Sequence, residues 1–247
     1  MQLKDKIAIV TGGGSGIGRA IALGFAAEGA SVAVTDLDGA RAESVAAEVE
    51  AASGTAIGFA ADVSKTEDAD GMVARTVERF GRLDILVNNA GRAGRGWVTN
   101  MADETCDGVF AVNARGTFVC SRAALRQMIP QRAGRIVNTA SGAGLRAFPG
   151  AAVYGASKAA IISLTYSLAG EVAKYGITVN AIGPGPTDTP FWRRGRSEED
   201  IAAAIRSGRV GQPEDFVPVV VFLCSDAAGA YTGLMVNRDT FMQGTAP

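Results

Sequence analysis

The sequence predicts an α/β fold: a doubly wound parallel sheet of about seven strands with helices on both faces, in one domain. Three observations carry this. Short runs that are apolar on both faces alternate with helical patterns along the chain, as parallel strands covered on either side must. The chain has 247 residues, enough to bury one large core, and α/β folds often use that length as a single domain. Its 32 glycines gather at specific sites, which points to tight turns and close backbone approaches rather than low complexity.

The elements follow in order. Strands are expected at residues 7–11, 31–35, 56–60, 85–88, 135–139 and 178–182, each short and rich in β-branched or small apolar residues. A last strand follows Gly233 and runs toward Asp239. Between them lie helical patterns at 16–28, 39–52, 65–80, 103–128 (with a break), 151–175 and 213–224. Asp38, Ser64 and Asp103 stand where N-caps belong, and Gly29, Gly54, Gly81 and Gly176 where helices end. The rhythm fails at 184–196, where Pro184, Pro186 and Pro190 precede Arg193, Arg194 and Arg196. A polar helical stretch at 198–207 follows, so residues 186–210 read as a lid over whatever the sheet binds.

Composition excludes several functions. A formal net charge of −1 offers nothing to nucleic acid. There is no histidine, and Cys106, Cys120 and Cys224 have no ligand spacing, so no metal is expected. The first residues are too polar for a secretory signal, and no run of 18 apolar residues could span a membrane. A soluble, cytoplasmic protein with reduced thiols is the expectation.

Thr11-Gly-Gly-Gly-Ser-Gly-Ile-Gly18 links the first strand to the first helix. Glycines there permit a sharp turn, let backbone approach a pyrophosphate and leave the helix N-terminus open to negative charge. Asp36 ends the second strand, where a carboxylate can accept bonds from an adenosine ribose and repel a 2′-phosphate; no basic residue in the glycine loop compensates. This favours NAD over NADP. Asn88-Asn-Ala-Gly91 and Asp62-Val63 end two further strands at the same edge, where ligands of doubly wound sheets gather. Tyr154 and Lys158, four apart on one predicted helix, share a face. An adjacent ammonium favours tyrosinate, and bringing a phenol near pH 7–8 takes a shift of roughly 2–3 units, about 3–4 kcal/mol. With histidine absent, this pair is one of the few acid/base devices available.

Together these residues resemble a short-chain dehydrogenase/reductase of the standard single-domain type. The likeness runs from about Leu3 to Asp239 and rests on Thr11–Gly18, Asp62, Asn88–Gly91, Asn113, Ser141, Tyr154 with Lys158, and Pro184-Gly185, in the family's order. It implies a Rossmann sheet and an NAD(H)-dependent interconversion of a secondary alcohol and a ketone. It also implies that Tyr154 is the general acid/base, Lys158 lowers its pKa and holds the nicotinamide ribose, and Ser141 binds the substrate oxygen. Asn113 would anchor a water in a proton relay. Gly12, Ser15, Gly16, Ile17, Gly18, Asp36, Leu37, Asp62, Val63, Asn89, Ala90 and Gly91 would hold the adenosine half, pyrophosphate and nearer ribose. Pro184, Gly185, Thr187 and Thr189 would meet the nicotinamide. A tetramer, paired through the helices at 103–128 and 151–175, is the family's usual assembly. Two features depart from the pattern. The Asp-Gly-Gly that often ends the last strand is replaced at Asp239, and Cys106 stands where a Trp is frequent.

Arginines recur at the expected substrate mouth: Arg92, Arg95, Arg146, Arg193, Arg194 and Arg196. Arg146 and Arg193 are the candidates for meeting an anionic group on the substrate. Solvated surface arginines, balanced by the acids at 198–200, are the other reading. A non-catalytic NAD(H)-binding sensor or scaffold of the same fold is the rival to enzymatic function. An epimerase or dehydratase using the same Tyr–Lys pair is a third.

Overall fold

A strand with two apolar faces satisfies both its backbone and its side chains only inside a sheet covered on both sides. That is the arrangement in the computed structural model, which describes residues 1–238. In chain order the elements are β1 (Ile7–Thr11), α1 (Gly16–Ala27), β2 (Ser31–Asp36), α2 (Gly39–Ala51), β3 (Thr55–Ala60), α3 (Thr66–Phe80) and β4 (Ile85–Asn88). Next come α4 (Asp103–Phe110), a π-helical turn (Ala111–Arg115), α5 (Gly116–Gln131), β5 (Gly134–Thr139), α6 (Ala152–Val172) and β6 (Ile177–Gly183). Two short lid helices, α7 (Pro190–Arg193) and α8 (Glu198–Arg206), precede α9 (Val217–Cys224) and β7 (Met235–Asn237).

The seven strands form one parallel sheet in the order β3-β2-β1-β4-β5-β6-β7. Alternate strand residues face opposite cores. Ile9, Ala33, Leu86, Ile136 and Val179 pack with α3, α5 and α6, whereas Ala8, Val32, Ile85 and Val137 pack with α1, α2 and α9. Strand order reverses between β1 and β4, and the crevice outside their carboxyl ends is where such sheets bind ligands. Val10 pairs with Val87, so the glycine loop and the Asn88–Gly91 turn leave the sheet side by side.

Several expectations are corrected in detail. The break expected in the helix at 103–128 is present and takes the form of a π turn joining two helices. Asp38 caps α2, accepting from the Ala40 and Arg41 amides. Ser64 does not cap α3; Lys65 holds that position, and the Ser64 amide and hydroxyl donate to Asp62. Asp103 lies inside the first turn of α4, with Ala102 at its cap. Gly29, Gly81 and Gly176 adopt left-handed backbone, but after α2 that role falls to Ser53 (φ 63°). Gly54 serves closeness instead, since a Cβ there would sit 2.7 Å from Val49 Cγ1. The replaced Asp-Gly-Gly ending at Asp239 lies outside the described residues.

Candidate active site

The glycine loop is tight because its neighbours occupy every space a side chain would need. A Cβ at Gly18 would lie 2.2 Å from the Gly12 carbonyl oxygen, and one at Gly12 (φ 61°) 2.8 Å from Ala90 Cα. Asn89 pins the loop from β4, its amide donating to the carbonyls of Thr11 (3.1 Å) and Gly12 (3.1 Å). Thr11 completes the tie: its hydroxyl accepts from the Asn89 and Ala90 amides and donates to the Val87 carbonyl. Helix α1 begins at Gly16 with no side-chain cap and no acid in its first turn. Ser15 thus presents its hydroxyl and the open helix N-terminus to an anion. Asp36 is held by the amides of Gly14 (3.0 Å) and Asp38 (3.1 Å), while Leu37 beside it is 75% exposed. Arg41, ion-paired to Asp38, packs its Cβ against Gly14. Asp62 is drawn below the usual carboxylate range by its bonds from Ser64, and Val63 fills the space beside Gly116. A glycine cradle, an uncapped helix and a strand-end carboxylate are the donor set that a dinucleotide needs, and these residues fit one.

Catalytic candidates converge one strand further on. Ser141 follows β5 and caps a short 3-10 turn, accepting from the Ala143 amide at 3.1 Å. That turn lies directly on α6. A Cβ at Gly144 would meet the Lys158 carbonyl carbon at 2.8 Å, and one at Gly155 the Ala143 oxygen at 2.7 Å. This packing brings Ser141 into hydrogen-bonding contact with Tyr154. Lys158, 3% exposed, donates to the Thr139 carbonyl at 2.7 Å, its ammonium 5.6 Å from the centre of the Tyr154 ring. Burial pulls Lys158 down to about 8. The Tyr154 phenol is raised by burial, against a hydrogen bond with Ser141 and the charge of Arg95, which lower it. The ammonium is desolvated and aimed at Thr139, and burial dominates the phenol.

Asn113 sits fully buried in the π turn. Its Oδ1 accepts from the Arg92 amide (2.8 Å), and its two amide hydrogens go to the Arg92 carbonyl (3.0 Å) and the Ser157 hydroxyl (2.9 Å). Between it and Lys158 stands Gly91, where a Cβ would lie 3.6 Å from Asn113 Oδ1 and 3.7 Å from Lys158 Nζ. On the far side, Pro184 and Gly185 (φ 68°) lead from β6 into Thr187 and Thr189, both buried. Thr189 caps α7 and packs its methyl against Gly16, so this segment touches the glycine loop. Arg193 is committed to Asp188 by two hydrogen bonds, at 2.6 and 2.9 Å, while Arg146 extends beside Gly142. The residues that sequence reasoning did not single out are the supports Ser157, Ser121, Asn138 and Thr165. Thr11 was named only as the first residue of the glycine motif, and the structure gives it a support role as well.

The short chain dehydrogenase family profile matches residues 6–200. The chain belongs to the short-chain dehydrogenase/reductase family. It is 37% identical over 253 residues to sorbitol dehydrogenase of Cereibacter sphaeroides, covering 97% of this chain and 98% of that one. Levodione reductase superposes with a TM-score of 0.90 at 35% identity, covering 96% of each chain. NAD+-bound xylitol dehydrogenase does so with a TM-score of 0.89 at 35% identity, covering 96% of this chain and 99% of that one. This chain is thus an oxidoreductase of the family. Among the described residues no helix is long and apolar enough to cross a membrane.

Proposed function

We propose that this protein interconverts a secondary alcohol and a ketone with NAD(H), with Tyr154 as general acid/base. The observation that carries the reading is the meeting of Ser141, Tyr154 and Lys158 beside the glycine cradle, at the switch point of the sheet. The bound nicotinamide supplies hydride acceptance and donation; this chain supplies position and a proton path. In the oxidative direction, Tyr154 as the phenolate takes the alcohol proton and becomes the phenol, while Ser141 donates to the substrate oxygen, steadying the charge that develops there. Lys158, at a pKa of about 8, stays mostly protonated at neutral pH and offsets the negative charge that builds up on the phenolate. The second lone pair of Asn113 Oδ1, facing Lys158 across Gly91, is placed to accept from a relay water.

Gly12, Ser15, Gly16, Ile17 and Gly18 hold the pyrophosphate, and Asp36 with Leu37 the adenosine ribose. Asp62, Val63, Asn89, Ala90 and Gly91 line the crevice between, and Pro184, Gly185, Thr187 and Thr189 receive the nicotinamide end. The Asp36 carboxylate supports NAD over NADP, because a 2′-phosphate would lie against it. Residues 186–210 act as the lid. Both ends meet at one bridge, where the Gly211 amide donates to Pro186 (3.0 Å) and the Asp188 amide to Gly211 (2.8 Å). Arg146 extends beside Gly142, next to Ser141. An anion could recruit Arg193 only by displacing Asp188.

The test is Tyr154→Phe, expected to reduce turnover of secondary alcohols by 10³-fold or more while NADH binding stays within a few-fold. A variant that keeps full activity sinks the assignment. Asp36→Ala is expected to relax the preference against NADPH at least tenfold in Kd, measured by NADPH fluorescence; unchanged selectivity would remove Asp36 from the cofactor site.

A further inference from the structure

Two loops that carry a guanidinium group each, Arg95 and Arg196, are tied to the surroundings of Tyr154. Arg95 lies in the loop after β4, held on both sides: Gly94 packs against Val109, and the Gly96 amide donates to the Gly150 carbonyl at 2.9 Å. That second bond stitches the Arg95 loop to the segment leading into the Tyr154 helix. Arg95 is exposed, and among the described residues its side chain makes no hydrogen bond and no ion pair. Its charge nonetheless acts on the Tyr154 phenol, lowering it, and on Arg196.

Arg196 comes from the lid. Its guanidinium lies 4.5 Å from the centre of the Trp192 ring and donates to the Trp192 carbonyl. Phe191, next to Trp192, brings its ring to 6.4 Å from that of Tyr154. Burial and Arg95 both push Arg196 below its ordinary value, opposed only by Asp200. Its neighbour Arg193, by contrast, is fully engaged with Asp188. Arg196 thus feels the like charge of Arg95 and the opposite charge of one acid, Asp200, which also accepts from the Ser197 hydroxyl. Such a pair favours an incoming anion, because a planar fork binds a carboxylate with two parallel bonds. The exposed Trp97, Leu145 and Phe148 on the flanking loops add apolar surface near the mouth, which strengthens a charge interaction by limiting water.

We propose that Arg95 and Arg196 form an anion subsite beside Tyr154, and that the substrate is a hydroxy acid or keto acid whose carboxylate they hold. This rests on the alcohol–ketone reading above.

The test compares 2-, 3- and 4-hydroxypentanoate with their neutral amides, using the full-length enzyme with NAD+. Wild type should prefer an acid at one of these spacings. In Arg95→Met and Arg196→Met, the acid-to-amide ratio of kcat/KM should fall at least tenfold, mostly through KM, with partial rescue in Arg95→Lys. Equal losses on acid and amide, or no acid preference in wild type, overturn the subsite. Oxidation of the amides alone would leave the oxidoreductase reading standing. If none of these compounds turns over, malonate titrated into the enzyme–NADH complex and followed by NADH fluorescence decides the point. Binding at least tenfold weaker in both Met variants supports the subsite; absent or unchanged binding overturns it. Failure to bind NADH at all would instead remove the functional reading.

Discussion

Lys158 shows how a single residue can be costly to the fold and necessary to the site. Burial depresses its pKa to about 8 from an ordinary 10.5. Below pH 8 the folded and unfolded chains both carry the proton, and the native state bears a penalty of about 3 kcal/mol. Between about 8 and 10.5 the unfolded chain binds more protons than the native one, so stability rises with pH; above 10.5 the penalty is gone. Urea unfolding should therefore show a stability difference between Lys158→Met and wild type that shrinks by up to about 3 kcal/mol from pH 7.5 to 10.5. The bond lost to Thr139 is a near-constant offset and does not change that slope. A difference that stays flat with pH would mean that Lys158 is not desolvated. Tyr154 and Lys158 were legible in the sequence because four-residue spacing on a helix is a local property. The influence of Arg95 on Tyr154 was not, because the two are 59 residues apart and their segments are joined in the fold, as by the Gly96–Gly150 bond.

At the scale of elements, the glycine loop and the π turn show different legibility. The loop announces itself, since glycines before a helix permit a turn that other residues cannot make. Gly18 is the sharpest case: a Cβ there runs into the Gly12 carbonyl and, at 2.5 Å, the Asn89 amide nitrogen. Gly18→Ala should lower stability by about 1–3 kcal/mol and weaken NADH binding at least tenfold. Unchanged NADH affinity would show that the loop accommodates the methyl without opening. The break in 103–128 was expected, but not that a π turn would make it. Nothing in Ala111–Arg115 specifies an extra residue per turn; the turn is supported by what Asn113 meets, the Arg92 backbone and Ser157. π turns of this kind are frequent at functional sites. Ser64 and Gly54 illustrate the reverse, local signals overridden when a carboxylate or a close backbone neighbour competes.

At the scale of the whole molecule, a buried polar chain ties the sheet to the helices behind the site. The Asn88 amide donates to Ser121 and Asn138, the Asn138 amide donates to Thr165, and Thr165 donates to the Ile161 carbonyl. It joins β4, α5, β5 and α6, the elements that carry the Asn89 turn, Ser141, Tyr154 and Lys158. Removing one member leaves its partners buried without water, so Asn138→Ala should cost about 2 kcal/mol or more in urea unfolding. It should also lower kcat by loosening the register of Ser141 against Tyr154. A loss below about 0.5 kcal/mol would mean that solvent replaces the missing amide. The sequence by itself determined the alternation of strands and helices, the glycine turn and the chemically capable residues, because periodicity, backbone freedom and functional groups are properties of short stretches. Only the tertiary structure decided that the charge of Arg95 acts on Tyr154, that Arg193 is engaged by Asp188, and that burial is the largest influence on the phenol. Those outcomes depend on distances and dielectric surroundings created when segments remote in sequence pack together.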